Sequence, residues 1–142
     1  MTGRLLLDNS AWARLGHRAL GGPRAAEVAD ALEAGRIAVC APFLLEAGYS
    51  ARNEREHADL LAELLALPYL AIDRAVEGRA VDAQAQLARA GHHRLPPVDI
   101  LVAAIAERHD HGVLHYDGDY DVIRARTDLR FQSVWLAQRG AL

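Results

Sequence analysis

Arg4-Leu5-Leu6-Leu7-Asp8-Asn9-Ser10-Ala11 contains a strand, an acid at its end and the start of a helix. The three leucines form an apolar run without the alternation of a half-solvated strand, which reads as a strand buried on both faces. Asp8-Asn9-Ser10 then offers side-chain oxygens of the kind that cap helix N-termini, so a helix is expected from near Ala11 and Asp8 falls at a strand's carboxyl end. The same alternation recurs along the chain. Strands are expected at Arg36–Ala41, Tyr69–Ile72, Val113–Tyr116 and Phe131–Trp135. Between them, Pro23 opens a helix with Ala25, Val28, Ala29 and Leu32 on one face and Gly35 at its end. Pro42 opens a helix carrying Glu46, and Asn53 with Glu56 forms a capping box for another that ends before Pro68. Asp73 caps a helix striped by Val76, Ala80, Ala83 and Leu87 and closed by Gly91, while Asp99–Ala106 is apolar nearly all round. Short buried strands alternating with helices predict an α/β fold, a mainly parallel sheet of four to five strands covered on both faces. Ligands of such sheets bind beyond the carboxyl ends of the strands.

At 142 residues, 51% hydrophobic and 25% charged, the chain is expected to form a single domain over residues 1–142. No stretch approaches the length of a membrane span and no secretory signal is evident, so a cytoplasmic protein is expected. The lone Cys40, in an apolar run, reads as a small core residue. All 16 basic residues are arginine. Without lysine there is no P-loop and no Schiff-base chemistry, and no Gly-x-Gly-x-x-Gly occurs. The seven histidines lack the spacing of a zinc site. A net charge of −3 argues against a chain coated for nucleic acid, although arginines can still grip phosphate locally.

What remains is acid. Asp8 follows the first strand. Glu46 is the only charge in Phe43-Leu44-Leu45-Glu46-Ala47-Gly48-Tyr49, and Asp99 lies in the first turn of an apolar helix. Asp117, Asp119 and Asp121 follow the strand ending at Tyr116, Asp121 reading as a turn or cap residue. Each could be a cap, but carboxylates gathered at sheet ends repel by about 4 kcal/mol per pair at 4 Å and an effective dielectric near 20. Such a cluster calls for a cation, and oxygen-only ligands select a hard one, Mg²⁺ or Mn²⁺.

The segments Leu5–Ala11, Pro42-Phe43-Leu44-Leu45-Glu46, Pro96-Pro97-Val98-Asp99-Ile100-Leu101-Val102-Ala103-Ala104 and Leu114-His115-Tyr116-Asp117-Gly118-Asp119-Tyr120-Asp121-Val122-Ile123, in this order, resemble the PIN-domain ribonucleases, and most closely the VapC toxins of type II toxin-antitoxin systems. The resemblance implies a three-layer α/β/α sandwich, an acidic pocket for Mg²⁺ or Mn²⁺, endonucleolytic cleavage of RNA, inhibition by a VapB-like antitoxin, and a homodimer. Onto this sequence it carries Asp8, Glu46, Asp99 and Asp117 as the catalytic acids and metal ligands, Asp119 as a fifth ligand, and Ser10 as polar support.

In that reading, water activated by the metal attacks phosphorus and leaves a 3′-hydroxyl and a 5′-phosphate. Were the RNA's 2′-hydroxyl the nucleophile, His115 would be the candidate base. Arg94, Arg52 and Trp12, with Arg55 and Arg89, are candidate RNA contacts. The competing reading is a catalytically silent PIN-like binding module whose acids are structural. A phosphoryl-accepting receiver domain is disfavoured by the missing lysine.

Overall fold

The computed structural model describes residues 1–142. Three leucines, β1 (Leu5–Leu7), form a central strand that pairs in parallel with β2 (Ile37–Ala38) on one side and β3 (Gly112–His115) on the other. β4 (Ser133–Trp135) adds in parallel to β3, giving the order β2-β1-β3-β4. Burial of all of β1 and β3 explains why neither strand alternates with polar residues.

Seven helices cover the sheet. They are α1 (Asn9–Trp12), α2 (Gly22–Glu33), α3 (Ala41–Tyr49), α4 (Glu54–Leu64), α5 (Arg74–Arg89), α6 (Pro97–Arg108) and α7 (Asp119–Arg126). Their starts follow the local chemistry. Asp8, Asn53 and Asp73 accept hydrogen bonds from the first-turn amides of α1, α4 and α5, while prolines open α2, α3 and α6. α6 is the most enclosed, with Ile100 and Val102–Ala106 in the core. Cys40 is buried there too. No helix is long and apolar enough to cross a membrane.

Two expectations are corrected. Tyr69–Ile72 is not a strand. It makes one parallel bridge, Val39 to Tyr69, with Val39 N–H donating to Pro68 O and Leu70 N–H to Val39 O. Pro68 has no N–H to extend the ladder, and Tyr69 and Ile72 face solvent, so only Leu70 gains by docking. Conversely, residues 119–126 form a helix that was not expected, where Asp117, Asp119 and Asp121 were read as turn or cap residues. Asp119 and Asp121 in the first turn and Arg124 and Arg126 in the last complement the helix dipole, and Tyr120 and Ile123 bury one face.

The sheet is tight at the entrance to β3. A Cβ on Gly112 would lie 3.0 Å from Leu5 Cδ2 and 3.1 Å from Gln132 O, so any larger residue would crowd the neighbouring strands.

Candidate metal centre

The ladder between β1 and β3 runs one residue past β1, with Asp8 N–H donating to Leu114 O at 3.0 Å. This fixes the Asp8 backbone, and three donors fix its carboxylate. Oδ2 accepts from Ser10 N–H at 3.0 Å and Ser10 Oγ–H at 2.5 Å, and Oδ1 accepts from the Tyr120 hydroxyl at 2.7 Å. Ser10 Oγ in turn accepts Tyr116 N–H at 2.8 Å, tying the end of β1 to the end of β3. Asp99, in the first turn of α6, is 7% exposed and lies 3.5 Å from the Tyr120 hydroxyl. Glu46 projects from α3. Asp117, two residues after the end of β3, accepts Asp119 N–H at 3.0 Å.

These residues form two overlapping groups, Asp8–Glu46–Asp99 and Asp99–Asp117–Asp119, in each of which one ligand oxygen per residue lies within 4.8 Å of the others. Asp99 belongs to both. No arginine, histidine or terminal ammonium forms an ion pair with any of the five. Burial pushes the Asp99 carboxyl up to about 8, with Asp8, Asp117, Asp119 and Glu46 adding repulsion. Glu46 is raised by burial and then by Asp8 and Asp117. Asp119 is raised by burial and by Asp117, against a lowering hydrogen bond with Asp99. Five oxygen donors with no cationic side chain among them fit a hard divalent ion, and Asp99 is the acid whose charge most needs one.

His115 is fully buried. Its Nδ1 can only accept the Asp117 N–H at 3.1 Å, which assigns the proton to Nε2, donating to Ser133 Oγ at 2.7 Å. Ser133 Oγ–H donates to Asp121 Oδ1 at 2.7 Å, and Trp135 Nε1–H to Asp121 Oδ2 at 2.9 Å. The ring lies between Tyr120 and Trp135, with centroids at 4.8 and 5.0 Å, and burial pushes its pKa down. With both nitrogens engaged, His115 is not a general base; it holds the Asp117 turn. Asp121 is correspondingly more than a turn residue, because it anchors this chain of hydrogen bonds.

The expected RNA contacts are dispersed. Arg52 is exposed and paired with Glu56 at 3.1 Å, and Arg55, Arg89 and Arg94 lie on the surface. Trp12 packs edge-on against Phe43 and is partly buried. Sequence reading missed Tyr120, whose one local signal is its i, i+3 spacing to Ile123. It also missed Arg14, whose guanidinium lies 4.8 Å from the Tyr116 ring centroid.

A family model for the PIN domain matches residues 5–125. The chain belongs to the PIN-domain family. Among its curated relatives, ribonuclease VapC51 of Mycobacterium tuberculosis is 37% identical over 139 residues, spanning 98% of this chain and 97% of the relative. Ribonuclease VapC11 of the same organism is 36% identical over 132 residues, spanning 91% and 98%. The PIN fold is shared with solved structures. A DNA-bound VapBC from Salmonella typhimurium superposes with a TM-score of 0.73 at 16% identity, over 96% of this chain and 100% of that one. VapBC-5 of M. tuberculosis gives 0.62 at 21%, over 93% and 99%. In this PIN domain the layered α/β/α arrangement puts the acids at the carboxyl ends of β1 and β3 and on the first turns and faces of the helices above them.

Proposed function

We propose that this PIN domain is the toxin of a type II toxin-antitoxin system and acts as a Mg²⁺- or Mn²⁺-dependent endoribonuclease. The observation that carries the reading is the convergence of Asp8, Glu46, Asp99, Asp117 and Asp119, none of which is held in an ion pair. A divalent ion held there supplies activation of water and neutralisation of charge on the phosphoryl oxygens. The chain's own part is positional. Tyr120 and Ser10 hold both oxygens of Asp8 in one orientation, and His115 fixes the Asp117 turn that also aims Asp119. Burial and the neighbouring acids favour the protonated Asp99 carboxyl in the metal-free protein, and binding a metal there would release that proton. Hydrolysis by water leaves a 3′-hydroxyl and a 5′-phosphate. Attack by the RNA's own 2′-hydroxyl needs a base that the buried, doubly engaged His115 does not provide.

The antitoxin partner is supported by a groove beside the acids. A cavity of about 520 Å³ is lined by Pro42, Leu45, Tyr49, Ile72, Val98 and Leu101, with Glu46 at its edge, and Leu45 and Tyr49 are 76% and 92% exposed. An apolar helix fits such a groove, and an arginine on it would reach Glu46. A homodimer belongs to the same reading.

The test is cleavage of total cellular RNA by purified, antitoxin-free protein with Mg²⁺, Mn²⁺ or EDTA, beside Asp99→Asn. Discrete metal-dependent fragments with 5′-phosphate ends, absent from the variant, are expected. Equal or metal-indifferent activity in folded wild type and variant would favour a silent binding module.

A further inference from the structure

Arg139 stands alone beside the acidic cluster. A Cβ built on Gly118, between Asp117 and Asp119, would lie 3.3 Å from each of Arg139 Cζ, Nη1 and Nη2. A point equidistant from those three atoms lies on the perpendicular to their plane, so the guanidinium presents its flat face to Gly118. Its N–H groups make no hydrogen bond or ion pair within the chain. Arg139 is exposed and belongs to no ion pair, although carboxylates flank the glycine it covers.

This placement is built by the tail. Gly140, with φ of 82°, turns the chain back. Ala141 N–H donates to Gln138 O at 3.0 Å, and Leu142 N–H donates to the Tyr116 hydroxyl at 2.9 Å. That hydroxyl donates to Gln138 O at 3.4 Å. Tyr116 immediately precedes Asp117, so the segment carrying Arg139 is fastened to the same turn that carries two of the acids. Arg139 also edges a cavity of about 790 Å³ between the start of α2 and the end of β4, with Leu20, Pro23 and Trp135 on its walls. The acids in that cavity are already occupied, Asp121 by Ser133 and Trp135, and Glu27 by Arg24 and the N-terminal ammonium.

We propose that Arg139, laid flat on Gly118 by the Tyr116-anchored tail, is the residue that grips an RNA phosphate next to the scissile one and directs the strand into the groove between α2 and β4. The proposal rests on the ribonuclease reading above. A guanidinium with a supported face and a free edge suits bidentate phosphate binding, and the contact is indifferent to base identity.

Binding of a fluorescent single-stranded RNA is measured by anisotropy across a salt series, in an Asp99→Asn parent that cannot cleave. Arg139→Ala should weaken binding about tenfold, similarly for different sequences, and reduce the slope of log affinity on log salt by about 0.7. Arg139→Lys should restore part of the loss. Gly118→Ala is the decisive partner, since Gly118 has an ordinary helical φ of −63° and ψ of −13° and the atoms nearest the added methyl are those of the Arg139 guanidinium. It should weaken binding with Arg139 present and do nothing further with Ala at 139. Arg126→Ala, which removes an exposed charge from the last turn of α7, serves as the control for net charge. In the active enzyme the loss should fall on KM rather than kcat. If the parent binds RNA and Arg139→Ala matches it, or Gly118→Ala acts equally in both backgrounds, Arg139 has no such role. A parent that binds no RNA and a wild type that cuts none would overturn the ribonuclease reading, and this proposal with it.

Discussion

Raising the pH of the metal-free protein from 7 to 9 should destabilise it, and Asp99→Asn should remove most of the loss. The Asp99 carboxyl titrates at about 8 in the folded chain, against an ordinary value near 4 when unfolded. The folded state therefore holds this proton more tightly. The resulting stabilisation is complete below the unfolded value and disappears as pH rises through 8. For one such group, integration from pH 7 to pH 9 gives a loss of about 1.4 kcal/mol. That corresponds to roughly 3–5 °C in Tm for a chain of this length. Cys40, pushed up to about 12 by burial, adds a smaller loss that begins near pH 9 and persists in Asp99→Asn. His111 and His115, pushed down by burial, act in the opposite direction, but only below about 6.5 and so outside this window. Thermal melts in EDTA at pH 7, 8 and 9 for wild type and Asp99→Asn provide the assay. Added Mg²⁺ should flatten the wild-type dependence, because a bound cation replaces the proton. Parallel pH curves for the two proteins in EDTA would refute the placement of a high-titrating, mutually repelled carboxyl at Asp99.

Tyr120→Phe should cost about 1–2 kcal/mol of stability by removing the buried donor to Asp8 Oδ1, and should weaken Mn²⁺ binding about tenfold or more, read by denaturant titration and metal titration. Gly112→Ala should destabilise by roughly 1–3 kcal/mol through overpacking against Leu5 and the Gln132 carbonyl, with the metal affinity of the folded fraction unchanged.

Much of this arrangement is legible in sequence because the informative signals are local. Leu5–Leu7 is apolar without alternation, so its burial and the position of Asp8 follow together. Glu46 is visible as a lone charge in an apolar helix, and Asp99 by its place at the head of one. Where two local signals compete, reading fails. Asp117-Gly118-Asp119 has the composition of a turn, and the helix that follows is stabilised by end charges and by Tyr120 and Ile123, which become informative only once the core they enter is known. Tyr69–Ile72 has β-branched and aromatic character, but only Leu70 finds a neighbour that buries it. Tyr120 meets Asp8, and Tyr116 meets the tail, across more than a hundred and more than twenty residues respectively, and no periodicity reports such contacts.

The order β2-β1-β3-β4 places the first strand made in the middle of the sheet, and its inner neighbour β3 is completed only at His115. The first acid is therefore synthesised more than a hundred residues before Asp117 and Asp119, which close the cluster. A nascent chain stopped at any earlier point carries an incomplete set of carboxylates. Cutting the chain anywhere between Asp99 and Asp117 separates the acids into two incomplete sets, and neither piece is expected to hold the metal.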